Sequence, residues 1–127
     1  MISKMIKTDI IIIGAGPVGL FAVFEAGLLN MKCHLIDILP KPGGQCIELY
    51  PKKPIYDIPA YPEILAGDLI KNLLKQCSQF EPGFTLGERA EKFEKLKDGN
   101  FLITTDKGTR HCAPVVAIAG CLLYTSD

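Results

Sequence analysis

The chain has 127 residues, enough for one domain, and its 48% hydrophobic and 22% charged residues exclude a disordered polypeptide. Lys plus Arg and Asp plus Glu balance at 14 each, so net charge offers no electrostatic basis for nucleic-acid binding. A zero balance also disfavours colloidal solubility and points to a partner surface or a missing part.

Residues 8–13 open the chain as a strand. Four consecutive isoleucines, Ile10 to Ile13, fit a strand buried on both faces in a parallel sheet. The strand runs into Gly14-Ala15-Gly16-Pro17-Val18-Gly19, a G-x-G-x-x-G turn leading into a helix. Each glycine has a role in holding a dinucleotide. Gly14 permits a tight turn, Gly16 lets backbone approach a pyrophosphate, and Gly19 lets helix pack on strand. The helix N-terminus adds unpaired N–H groups and partial positive charge, and Pro17 loses little in its first turn. Glycine-rich loops also match this pattern without a ligand, and the flanking strand and helix are what favour a nucleotide site. Val18, Leu20, Phe21, Ala22, Phe24 and Leu28 make that helix apolar on most sides, so it is expected to be covered by sheet and neighbours. Gly27 or Asn30 ends it.

Residues 32–37 form a second strand ending in Asp37, 18 positions after Gly19. That is near the spacing at which an acid meets a ribose hydroxyl; the alternative is a helix cap or a solvated strand end. A carboxylate there repels a 2′-phosphate, so the expected ligand is the adenosine half of FAD or NAD rather than NADP. Residues 41–62 are rich in Pro, Gly and Tyr and read as a long ordered loop. Gly43-Gly44 there allows close approach of backbone to a ligand, or makes a plain turn. Residues 67–80 carry a stripe of Leu69, Ile70, Leu73, Leu74, Cys77 and Phe80 and predict an amphipathic core helix. A short strand follows at residues 84–86. Residues 89–96, 101–105 and 109–112, separated by Asp98-Gly99-Asn100 and Asp106-Lys107-Gly108, predict a small antiparallel meander with a solvated charged face. Residues 115–120 are a further buried strand.

Other chemistry is not expected. Residues 17–29, the most apolar helical stretch, are too few to cross a membrane and include Glu25. The run after residues 1–7 is too short for a secretory signal. Five cysteines in no regular framework suit a reducing cytoplasm. Cys33 and Cys112 read as buried and inert, and only Cys46 has a claim to lie near a ligand. His34 and His111 have no neighbouring ligand cluster, so no metal site is expected. No catalytic residue is expected in this chain, and the chemistry belongs to a bound cofactor.

The glycine loop, Ile36-Asp37, Pro42-Gly43-Gly44-Gln45, Leu49-Tyr50-Pro51 and Ile55-Tyr56-Asp57-Ile58 together resemble the thioredoxin-reductase-type ferredoxin–NADP reductases of bacteria. The resemblance runs over residues 8–120, and its Gly-Gly-Gln and Tyr-Pro segments are more specific than the glycine loop. It implies an α/β, Rossmann-like FAD-binding domain with a parallel sheet and a small β-meander, here truncated. It implies FAD as cofactor, NADPH as substrate of the full-length enzyme, ferredoxin or flavodoxin as partner, and a homodimer. The residues carried over as cofactor-binding are Gly14, Ala15, Gly16, Pro17, Gly19, Asp37, Gly44, Gln45, Tyr50 and Ala90. Gln45 and Tyr50 match positions near the flavin, and Ala90 matches the backbone contact to adenine. The family continues into an NADPH domain after the last strand. Residues 1–120 are therefore expected to be the N-terminal part of the FAD domain, and residues 121–127 a foreign tail at a truncated end. The alternatives are a thioredoxin-reductase-like flavin disulfide reductase and a non-catalytic dinucleotide-binding module.

Overall fold

The computed structural model describes residues 5–44 and 51–119. Its centre is a parallel sheet of β2 (Ile10–Ile13), β3 (Cys33–Asp37), β6 (Gly83–Leu86) and β10 (Val115–Ile118) in the order β10-β2-β3-β6. A second sheet holds β1 (Met5–Lys7), β9 (Arg110–Ala113), β8 (Phe101–Thr105) and β7 (Ala90–Lys95) in the order β1-β9-β8-β7. Its β7–β8–β9 part is the expected antiparallel meander, and β1 joins it parallel to β9. Two helices, α1 (Pro17–Leu28) and α2 (Ala66–Ser78), and a two-residue pair, β4 (Pro54–Ile55) with β5 (Ile64–Leu65), complete the described elements.

The isoleucine run sets the layering. Side chains alternate across a strand. Ile10 and Ile12 of β2, with Cys33 and Leu35 of β3, pack against α1 and α2 on one face. Ile11 and Ile13, with Ile36, pack against Ile103, Ala113 and Ala90 on the other. The parallel sheet is thus sandwiched between a helical layer and the antiparallel sheet. Ile11, Leu35 and Ile103 are fully shielded from solvent. Burial of one such side chain is worth about 1.5–3 kcal/mol.

The helices meet through one small residue. A Cβ on Gly27 would lie 2.2 Å from a ring carbon of Phe80, so glycine there admits the ring that follows α2. Gly27 is therefore a packing position inside α1. The helix is closed by Asn30, at φ 62°, with its N–H on the Gly27 carbonyl and the Met31 N–H on the Ala26 carbonyl.

Coverage of α1 departs from the sequence expectation. Gly19, Leu20, Val23, Ala26 and Gly27 are buried, but Val18, Phe21 and Leu28 are exposed. One stripe meets the sheet and α2, and the opposite stripe has no counterpart among the described residues. The amphipathic stripe of α2 is as expected: Leu69, Ile70, Leu73 and Cys77 are buried. The meander's β7 is exposed along most of its length.

Candidate functional site

The site lies at the carboxyl ends of the parallel strands. From β2 the chain moves through α1 to β3 on one side, and β10 later arrives on the other. Strand order reverses between β2 and β10, the position at which open α/β sheets bind ligands. The G-x-G-x-x-G turn emerges from β2 at this point.

The three glycines are not equivalent. Gly14 has φ 114°, a conformation that disfavours any side chain. Its N–H donates to the Ile36 carbonyl at 2.8 Å. A Cβ on Gly19 would fall 2.1 Å from the Gly14 carbonyl oxygen, so helix and turn could not approach as they do. Gly16 has ordinary extended backbone, φ −81° and ψ −168°. A Cβ there would meet the Gly44 Cα at 3.7 Å, normal van der Waals contact. Among the described residues, backbone conformation requires glycine at 14 and packing requires it at 19, but neither requires it at 16. Gly16 is also the N-cap of α1, and no side chain caps that helix; Pro17 follows as its first residue and brings no N–H. Pro17 is exposed, and Ala15 is fully buried.

Asp37 ends β3 beside this turn. Its Oδ2 accepts a hydrogen bond from the Ala15 N–H at 2.7 Å, and its Oδ1 accepts one from the Leu39 N–H at 2.9 Å. The carboxylate thereby holds the glycine turn in place, a contact the sequence spacing did not reveal. A carboxylate offers about four acceptor sites, so two such bonds leave capacity for ribose hydroxyls.

The Gly-Gly segment joins the same site. The Gly43 N–H donates to the Ala15 carbonyl at 2.7 Å. Gly44, at φ 83°, would place a Cβ 3.3 Å from the Gly16 Cα. Two glycine turns from different parts of the chain therefore lie backbone on backbone. Behind Asp37, the Gly87 and Glu88 N–H groups donate to the carbonyls of Leu39 and Asp37. The Glu88 carboxylate accepts from the Thr105 hydroxyl at 2.5 Å, which together with other contacts holds it below the usual carboxylate range. Ala90 begins β7 opposite Thr105, and a β-bulge between Ala90 and Lys92 follows. Ala90 is also packed against the Ile11–Ile36–Ile103 cluster.

Of the expected site residues, Gly14, Ala15, Gly16, Pro17, Gly19, Asp37 and Gly44 gather at one end of the sheet. Gln45, Tyr50 and Cys46 lie outside the described residues. Burial pushes the Cys33 thiol up to about 11, with the charge of Asp9 adding to it. Burial also raises Cys77. Neither is a candidate thiolate. Among the described residues no group of histidines, cysteines and acids could hold a metal ion, and no helix is long and apolar enough to cross a membrane.

Comparison with known structures places the fold first. The chain is similar to a thioredoxin reductase from Streptococcus pyogenes, with a TM-score of 0.76 at 24% identity over 90% of this chain and 35% of that one. It is also similar to a cyclohexanone monooxygenase, with a TM-score of 0.71 at 22% identity over 91% of this chain and 26% of that one. At these identities the likeness concerns the fold alone: a Rossmann-like α/β domain with a parallel sheet and an antiparallel meander.

Sequence comparison is narrower. Over 116 residues the chain is 76% identical to ferredoxin–NADP reductase 2 of Christiangramia forsetii, covering 91% of this chain and 33% of that relative. It is 72% identical to a ferredoxin–NADP reductase of Flavobacterium johnsoniae with the same coverages. The resemblance read from the residues is met by these relatives, and the chain spans about a third of their length. No family model matches it.

Proposed function

We propose that this chain is the FAD-binding part of a flavoenzyme of the ferredoxin–NADP reductase type. Gly16 is the observation that carries this reading. Backbone conformation and internal packing account for Gly14 and Gly19, whereas Gly16 stands uncapped at a helix N-terminus, and among the described residues nothing demands glycine there. Approach of a pyrophosphate supplies the demand. The high identity to proteins named ferredoxin–NADP reductase supports the type of enzyme.

In this reading the amides of the first turn of α1 receive the phosphates over Gly16, and Gly14, Ala15, Pro17 and Gly19 shape the turn that presents them. Asp37 accepts hydrogen bonds from ribose hydroxyls with the lone pairs that Ala15 and Leu39 do not use. Its charge repels a 2′-phosphate, so NADPH acts elsewhere, as a substrate of the full-length enzyme. Gly43 and Gly44 bring backbone against the same phosphates, and the Ala90 backbone bonds the adenine. Gln45 and Tyr50 stand nearer the flavin. Bound flavin supplies the transfer of electrons from NADPH to ferredoxin or flavodoxin; the groups in this chain position it and react with nothing themselves. The complete enzyme is a cytoplasmic homodimer. Residues 1–120 belong to its FAD domain, and residues 121–127 do not.

The complete gene product carrying this chain tests the proposal. It is expected to purify yellow with bound FAD and to reduce ferredoxin with NADPH. A colourless protein, or one selective for thioredoxin, overturns the reading. The 127-residue chain itself is expected to bind FAD weakly or not at all, since it spans about a third of the length of the relatives it matches. Tight binding by a folded monomer would favour a stand-alone nucleotide-binding module instead.

A further inference from the structure

The interface between the two sheets is apolar around Ile11, Ile36 and Ile103 but polar beside it. His34 of β3, Thr85 of β6 and His111 of β9 meet there. His34 Nε2 lies 2.7 Å from the Thr85 hydroxyl oxygen, and that oxygen lies 2.8 Å from His111 Nε2. His111 Nδ1 is 3.3 Å from the Ile103 carbonyl oxygen of β8. The imidazole centroids are 5.0 Å apart. His111 is wholly buried, and Thr85 is buried. A Cβ on Gly83 would sit 2.3 Å from His34 Nδ1, so the His34 ring occupies the space that glycine leaves on β6. The FAD site uses none of these side chains.

We propose that His34, Thr85 and His111 form a directional hydrogen-bond chain that fastens the antiparallel sheet to the parallel one while both imidazoles are neutral, making this interface an acid-sensitive latch. The direction follows from the Ile103 carbonyl, which can only accept. His111 Nδ1–H therefore donates to it, and neutral His111 Nε2 is an acceptor. The Thr85 hydroxyl donates to that nitrogen and accepts from His34 Nε2–H. The two histidines thus hold opposite tautomers. A first proton can enter on His34 Nδ1 and leave the chain intact. A second, on His111, puts N–H donors on both sides of Thr85; its hydroxyl hydrogen loses its acceptor, and two cations face each other inside the protein.

Among the described residues, few charged groups bear on the pair. From the β6–β7 turn, the Glu88 charge favours protonated His111, and Lys107 from the β8–β9 turn acts in turn on Glu88. β1 places Ile6 in register with His111. Burial outweighs these influences. It pushes His34 from 6.5 down to about 4, with the His111 charge adding to the effect, and it lowers His111 as well. The sign follows directly. Below 6.5 the unfolded chain takes up protons that the folded chain refuses, so the interface loses stability as pH falls from about 6.5 towards about 4.

The chain has only these two histidines. Long-range proton–nitrogen spectra of the full chain, labelled with 15N in histidine and titrated from neutral to acid pH, read both rings directly. At neutral pH one ring should be the Nδ1–H tautomer and the other the Nε2–H tautomer, with both midpoints below 6.5. Thr85→Val should release the His34 tautomer, leave His111 as Nδ1–H on the Ile103 carbonyl and raise the His111 midpoint relative to that of His34, because only His111 loses a donor to its neutral ring; Thr85→Ser should preserve the wild-type pattern. Two rings in the same tautomer, wild-type midpoints at 6.5, or a Thr85→Val titration identical to wild type overturns the proposal. Should Thr85→Val not fold, the wild-type tautomers and the Thr85→Ser titration decide the same question.

Discussion

The molecule has two helix N-termini of opposite character. The first turn of α1 begins at an uncapped glycine, contains a proline and no acid, and lies at the sheet's strand-order reversal. The first turn of α2 is closed by its own chain. The Ala66 N–H donates to the Lys53 carbonyl at 2.9 Å, and the Gly67 N–H donates to the Pro51 carbonyl at 2.7 Å. Asp68 adds a negative charge in that turn, which complements the helix dipole. Both ends present the same backbone chemistry. They differ in what already satisfies it: α2 spends its amides on anchoring the 51–53 loop, whereas among the described residues no side chain takes those of α1. A helix terminus receives an anion only where the fold leaves it open.

The largest expected effect tests whether the α1 turn is built as tightly as its geometry implies. Gly19→Ala would force a Cβ onto the Gly14 carbonyl, an overpacking that costs about 3 kcal/mol or more. Thermal unfolding should show a chain that is largely unfolded or far less stable. Asp37→Asn comes next. It removes one acceptor from the pair that holds Ala15 and Leu39, at about 1.5–3 kcal/mol for a bond to a charged group. Urea unfolding should show that loss, and FAD affinity of the complete gene product should fall with it.

Gly16→Ala is the more discriminating change. Its Cβ has room within the chain, so unfolding should shift by no more than about 1 kcal/mol. The methyl would intrude on the pyrophosphate by about 1–3 kcal/mol, a loss of roughly ten- to a hundredfold in FAD affinity. Equal losses of stability at positions 16 and 19 would erase the distinction drawn between them. The smallest effect belongs to α2. A Cβ on Gly67 would approach the Pro51 carbonyl at 3.1 Å, so Gly67→Ala should change stability by about 1 kcal/mol or less and leave FAD binding untouched.

The comparison also explains what was legible beforehand. The isoleucine run, the glycine spacing and Asp37 are local signals, and they fix the strand–turn–helix unit and its partner strand. The stripe of α2 is periodic and therefore readable. Strand β1 is only three residues long and gains its identity from β9, more than 100 positions away, so no local pattern announces it. Gly27 reads as a helix end by type, yet its role depends on Phe80 arriving from α2. The exposed stripe of α1 is invisible for the converse reason: composition states what a helix could bury, not what stands opposite it. The same holds for the site. The contact of Gly43-Gly44 with the first glycine turn and the grip of Asp37 on Ala15 are tertiary facts between segments read separately. The histidines, unremarkable one by one, meet only because β3, β6 and β9 pack across two sheets.

Amide hydrogen exchange of the complete gene product, with and without FAD, tests the central contrast most directly. FAD should slow exchange at Val18 and Gly19, in the first turn of α1, and leave Ala66 and Gly67 at the start of α2 unchanged. Protection at Ala66 and Gly67 without protection at Val18 and Gly19 would contradict the assignment of the α1 terminus as the phosphate site.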